Sequence, residues 1–374
     1  MQLFLKLKVI CFGHNYKNLI GRNKTMCNEM FNLAIVGLGG MGNWHRELIE
    51  GIDNLTVCGT YDIKEDRQAF AREHGINPYN SFKELLEDEK VDIVLCATPN
   101  DVHKEIVISS LKAGKNVICE KPAAMSSLEF KEMVDIAEEM DKVLVVHQNR
   151  RWDEDFLTVK KIYDEAILGN VFRIESRVHG SRGIPGDWRQ EEEHGGGMLL
   201  DWGVHIIDQA CMMINERIKS VYSRFTHVTN ELVDDGFTAE LEFESGLIYV
   251  VEVGTSNFIN LPRWYVLGQN GTAVIDDWNL RGKVVRITDS SKNDAIPIRT
   301  AAGLTKTMAP RTEETIKEEA LKIVNSDVKD FYRNVMGAIR GEEEILVKNT
   351  EVMRVIKLME SIRESVIKKK VIEL

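Results

Sequence analysis

The side chains best suited to chemistry in this 374-residue chain fall in three short stretches. In Gly195-Gly196-Gly197-Met198-Leu199-Leu200-Asp201-Trp202-Gly203-Val204-His205, the aspartate and histidine are four residues apart, on one face of a helix near its N-terminus. Histidine is the side chain best matched to moving a proton near neutral pH, and a nearby carboxylate can orient it. The triple glycine lets backbone come close to a ligand or to another domain. Two blander readings fit the same spacing: Asp201 as a cap ahead of a core histidine, and an Asp/His metal pair. The metal reading lacks a third ligand at usable spacing and is set aside, so no metal is expected.

The second stretch is Ala97-Thr98-Pro99-Asn100-Asp101-Val102-His103, with Glu120-Lys121-Pro122 after the next apolar run. A lysine at such a position can steady a substrate oxygen and a nicotinamide ribose, and its charge favours an alkoxide as a proton leaves. The tripeptide alone fits a solvated surface lysine equally well. The third stretch is Gly37-Leu38-Gly39-Gly40-Met41-Gly42, directly after a strand-like run. Here Gly37 permits the turn, Gly39 lets a pyrophosphate approach the backbone and Gly42 allows close helix packing. Asp62 stands 20 residues beyond Gly42, where a carboxylate holds ribose hydroxyls and repels the extra phosphate of NADP. NAD is therefore expected over NADP, with Lys64 and Arg67 nearby as the residues able to accept that phosphate.

The elements that must position these groups are legible in the hydrophobic pattern. Continuous apolar runs at 32–37, 55–61, 91–97, 116–119 and 143–147 alternate with helix-length segments at 41–51, 64–74, 81–88, 101–113 and 126–141. That rhythm predicts a doubly wound parallel sheet covered on both faces, whose strands' carboxyl ends carry the three loops. The pattern changes after Arg151. A helix at 154–168, a strand at 170–179 and a helix at 201–214 lead into strands at 218–229, 236–244, 247–255, 263–268, 272–276 and 283–288. Helices are expected at 313–341, broken near Ser326, and at 349–368. The fold expected is α/β: a dinucleotide-binding domain over 31–150, then a substrate-binding and oligomerisation domain over 151–374 with a large, mainly antiparallel sheet.

Composition narrows the function. The net charge is −11, and an acidic surface repels nucleic acid. No apolar run nears the roughly 20 residues that span a bilayer. The six cysteines contain no CxxC pair and lie mostly within apolar runs, which suits free thiols in the cytoplasm. Residues 1–30 carry +4, leaving −15 on the rest, and are read as a dispensable extension. That −15 favours a neutral sugar or polyol over an anionic substrate.

AIVGLGGMG, ATPNDVH, AGKNVICEKPAA, NRRWDEDF and GGGMLLDWGVHIIDQ, in this order from Phe31 almost to the C-terminus, resemble the Gfo/Idh/MocA oxidoreductases. The resemblance implies a Rossmann domain followed by an open-sheet domain that commonly supports dimers or tetramers. It also implies a catalytic set on Lys121, Asp201 and His205. Arg151 and Trp152 fall where the family often places substrate- or nicotinamide-facing residues, an interdomain structural Arg being the alternative. His179, Arg182, Trp188 and Arg189 precede the triple glycine as candidate substrate contacts, with core packing the alternative for Trp188.

The expected function is NAD-dependent oxidation of a secondary alcohol of a sugar, glycoside or polyol. His205 takes the hydroxyl proton while the carbinol hydrogen leaves as hydride, Lys121 stabilises the charge on the same oxygen, and Asp201 orients His205 or binds an adjacent hydroxyl. The resemblance points first to the 3-hydroxyl of a glycoside, with inositol or a free aldose as alternatives. A non-catalytic NAD-binding regulator and an NAD-assisted glycoside-cleaving lyase or hydrolase are the readings from other classes.

Overall fold

The computed structural model describes residues 30–292 and 295–374, so the extension expected over 1–30 lies outside the described residues but for Met30. The first half alternates strands β1 (Phe31–Val36), β2 (Leu55–Tyr61), β3 (Ile93–Cys96), β4 (Asn116–Cys119) and β5 (Leu144–Val146) with helices. These are α1 (Gly40–Ile49), α2 (Glu65–Glu73), α3 (Phe82–Glu87), α4 (His103–Lys112) and α5 (Ser127–Glu139). The sheet is parallel in the order β2-β1-β3-β4-β5. Its order reverses between β1 and β3, which opens a crevice at their carboxyl ends. All four residues of β3 are buried, as a sheet covered on both faces requires.

The second half begins with α6 (Glu154–Asp164), β6 (Val171–His179) and α7 (Val204–Met213). Strands β7 (Ile218–Thr226), β8 (Gly236–Phe243), β9 (Ile248–Gly254), β10 (Trp264–Gly268), β11 (Gly271–Ile275) and β12 (Gly282–Ile287) follow. After the small hairpin β13 (Ile298–Thr300) and β14 (Gly303–Thr305) come β15 (Ile316–Ala320), α8 (Lys329–Ile339), α9 (Asn349–Lys368) and β16 (Ile372–Glu373). Nine strands form one sheet in the order β15-β12-β11-β10-β6-β9-β8-β7-β16, with β6 and β9 parallel and the other pairs antiparallel. Along β8, Phe237, Ala239, Leu241 and Phe243 are buried while Thr238 and Glu240 are exposed, the period-two pattern of a sheet packed on one face. The packed face meets α6, α7 and α9.

The expected helix at 313–341 is half right. Residues Ile316–Ala320 form an edge strand, and helix begins only at Lys329. Good helix formers such as Lys317, Glu318 and Glu319 are held extended by pairing with β12, where Lys283 meets Glu318 and Arg286 meets Glu319. Tertiary pairing there overrides local propensity. The core of the parallel sheet also takes in residues far beyond position 150: Phe331, Tyr332, Val335, Met336, Val347, Val352 and Ile356 pack against it.

Candidate active site

The crevice is shaped by glycine. Gly37 sits at φ +91°, and a Cβ on it would lie 2.6 Å from the Ala97 carbonyl oxygen; one on Gly42 would lie 2.0 Å from that of Gly37. Gly39 and Gly40 instead border open space, and α1 starts there without any side-chain cap. Free N–H groups facing an accessible gap suit the pyrophosphate of a dinucleotide. Met41 follows in the first turn, half-buried. The Asp62 carboxylate accepts from the Leu38 amide at 2.7 Å and the Lys64 amide at 2.9 Å, bracing the turn from the end of β2.

The loops after β3 and β4 divide their work. Thr98 and Pro99 stay half-exposed. Asn100 is buried, and its side chain donates to the Gly195 carbonyl at 2.9 Å, tying this loop to the triple glycine. The His103 ring is fully buried, with Nδ1 2.9 Å from the Pro122 oxygen and Nε2 3.0 Å from the Thr98 oxygen. His103 thus joins the two loops from behind. Glu120 is turned inward as well. Its Oε1 lies 2.8 Å from both His45 Nε2 and His147 Nδ1, and its Oε2 accepts the Lys121 amide at 3.0 Å. Tyr332 of α8 closes this buried network with a hydrogen bond to His45 Nδ1. Burial opposes ionisation of Glu120, but the two histidines hold its carboxyl well below the usual range.

Lys121, Asp201 and His205 come together across the two halves. Lys121 Nζ is 3.2 Å from the Asp201 carboxylate and 3.0 Å from its backbone oxygen. The turn carrying Asp201, Leu199–Gly203, is π-helical and feeds directly into α7, a local widening that often accompanies functional sites. Asp234 fixes its start by accepting the Leu199 amide at 2.7 Å. Burial works against an ionised Asp201, but Lys121 and Arg189 outweigh it and keep the carboxyl below its ordinary value. His205 is buried; burial first, then the charges of Lys121 and Arg150, push its pKa well below 6.5. The imidazole is therefore neutral and able to accept a proton. Asp201 pairs with Lys121 and Arg189 and makes no hydrogen bond to His205, which leaves the second of its two expected roles, toward an adjacent hydroxyl.

Beside this group opens a cavity of about 540 Å³, lined among others by Arg150, His179, Arg182, Asp201, Trp202 and Trp278. The His179 Nε2 lies 3.0 Å from Glu252 and its Nδ1 accepts the Leu261 amide, so its ring is held in place. Trp188 is not in the cavity wall; Arg189 stacks on it at 4.6 Å and reaches Asp201 at 3.3 Å. Arg151 also points elsewhere: it grips Asp208 through two hydrogen bonds at 2.8 and 2.6 Å and Glu351 at 2.6 Å, the interdomain role. Trp152 packs edge-on against Phe331 in the first core. The arginine of this segment that lines the cavity is its neighbour Arg150, whose guanidinium lies 4.2 Å from the Trp202 ring centre and 5.3 Å from that of Trp278. Trp202 stood inside the motif read from sequence, whereas nothing around Trp278 marked it.

Residues 31–148 match the NAD-binding Rossmann fold of the GFO_IDH_MocA oxidoreductase family, and residues 156–274 match its C-terminal domain. The chain belongs to the Gfo/Idh/MocA oxidoreductase family. The crystal structure of an NAD-binding protein from Listeria innocua superposes with a TM-score of 0.90 at 45% identity, covering 92% of this chain and 100% of that one. An oxidoreductase of Schizosaccharomyces pombe is 43% identical over 134 residues, 35% of this chain and 36% of the relative's length. The scyllo-inositol 2-dehydrogenase (NADP(+)) of Bacillus subtilis is 26% identical over 95% of this chain and 98% of its own. Family membership thus makes this an oxidoreductase with an NAD(P)-binding domain.

Proposed function

We propose that this family member transfers hydride between NAD and a secondary alcohol of a sugar, glycoside or polyol. The observation that carries the reading is Lys121, from the loop after β4, held to Asp201 in the cavity wall, with a neutral, buried His205 four residues beyond that aspartate. Bound nicotinamide supplies the hydride acceptor. His205 removes the hydroxyl proton, and the Lys121 ammonium stabilises the charge developing on the same oxygen. Asp201 acts on Lys121, keeping its head at the site. The inositol dehydrogenase among the relatives supports a polyhydroxylated substrate. Asp62 at the end of β2 supports NAD, against the NADP named for that relative.

Four free thiols among the described residues, Cys58, Cys96, Cys119 and Cys211, support a cytoplasmic setting. No helix among them is long and apolar enough to cross a membrane. The half-exposed outer face of the nine-stranded sheet is the surface on which we expect a homo-oligomer to form. The decisive experiment is mass spectrometry of products after incubation with inositols, aldoses and glycosides and either cofactor, with and without a 3-keto sugar as acceptor. Oxidised product establishes the activity. Tight cofactor binding with no product from any member would overturn it in favour of a regulator.

A further inference from the structure

The cavity presents unpaired guanidinium donors in an acidic protein. Arg150 and Arg182 line it, and Lys121 and Arg189 touch it through Asp201, which also lines it. Asp201 is shared by Lys121 and Arg189, and Asp187 takes a second bond from Arg189 at 2.8 Å. Asp153 accepts from Arg150 Nη1 at 3.0 Å. Glu252, on the neighbouring strand, is engaged by His179 and Arg177. Arg182, on the loop after β6, lines the cavity with no hydrogen bond or ion pair to any described residue. The Nε and Nη2 of Arg150 likewise have no protein acceptor among the described residues, while Trp202 and Trp278 hold its plane. Two guanidinium groups from separate segments thus keep free N–H donors at one concave site, on a chain whose net charge is −11.

A sugar hydroxyl can accept one of these N–H groups, whereas a paired oxyanion can take both donors of a fork and its charge as well. The guanidinium fork matches the paired oxygens of a carboxylate or phosphate, and its attraction strengthens where water is partly excluded. We infer that the substrate carries an oxyanion, a carboxylate or a phosphate, on the same sugar or polyol skeleton, bound by Arg182 together with Arg150. This deepens the proposed dehydrogenase reading and rests on it for the turnover readout. It also reverses the neutral substrate expected from net charge, because the local field at a site is set by the side chains around it and not by the sum over the chain.

The test compares glucuronate, galacturonate and glucose 6-phosphate with glucose, galactose and myo-inositol, using wild-type protein and Arg182→Gln. Turnover is measured with NAD, and binding by thermal shift and calorimetry on the NADH-loaded protein. An oxyanion-bearing member should exceed its neutral parent at least 10-fold in kcat/KM. Arg182→Gln should lower that value about 10–100-fold, mainly through KM, lower the neutral parent's value markedly less, and flatten the dependence on salt. The uronate and phosphate arms decide which oxyanion is meant. Neutral compounds used as well as anionic ones, or a variant that weakens both alike, would overturn the inference. If nothing is turned over, binding still decides: oxyanion-specific stabilisation lost in Arg182→Gln upholds the subsite while the dehydrogenase reading fails, and absent stabilisation rejects the subsite.

Discussion

Lys121 reaches across 80 residues of sequence to hold both the carboxylate and the backbone oxygen of Asp201. One side chain from the cofactor half is thereby fixed to the turn that launches α7 in the other half. Asp201→Ala should release Lys121 and Arg189 together. Turnover is expected to fall about 10²-fold, by analogy with loss of one positioned electrostatic contact. Cofactor affinity, followed by NADH fluorescence titration, should stay within about twofold; a large change there would mean that Asp201 holds the domains together rather than the lysine in place.

His205→Ala should cut kcat by about 10²–10⁴-fold, the usual contribution of a positioned general base. The wild-type pH profile gives a separate check. Because burial and the neighbouring cations depress the His205 pKa well below 6.5, the acid limb of the oxidation rate should lie below that value. An acid limb centred above 6.5 would remove His205 as the base.

Asp234 makes stability depend on pH in an unusual direction. Burial pushes its carboxyl up to about 7 from 3.8, against the Leu199 amide that favours the charged form. Between about pH 4 and pH 7 the folded chain keeps a proton that the unfolded chain releases, so this group's contribution falls as pH rises and then levels off. Asp234→Asn should therefore raise stability by only about 1–2 kcal/mol at pH 5 and by up to about 4 kcal/mol at pH 8, read as a growing gain in melting temperature. A difference constant across that range would contradict the assignment.

Arg151→Met leaves Asp208 buried without its cation, for a destabilisation of about 3–5 kcal/mol. The double variant Arg151→Met/Asp208→Leu should recover most of that loss in urea unfolding. If the double variant is no better than the single one, the arginine's other bond, to Glu351, carries the effect.

The parallel sheet was readable from sequence because its strands are continuous apolar runs, and the three motif loops followed from where those runs end. β15 was not: IKEEA has the composition of a helix, and only the adjacent edge of β12 makes it extended. Arg150 and Arg151 show a second limit. They are consecutive and alike in type, yet one faces the cavity between two tryptophans and the other is buried against Asp208. Which way a side chain leaves the backbone in a short 3₁₀ turn such as Asn149–Trp152 depends on the packing of both halves, and no local pattern encodes it. Tyr332 was invisible for the related reason that its partner His45 lies 287 residues away.

The packing of α8 and α9 into the first core has a consequence for how the protein is made. A nascent chain that has emerged only as far as β5 lacks Phe331, Tyr332, Val335 and Met336, so the nucleotide-binding half waits for α8 and α9 to be made before that side of its sheet is buried. Its apolar surface stays open while the nine-stranded sheet is being synthesised, the interval in which such chains are most prone to aggregate or to need a chaperone.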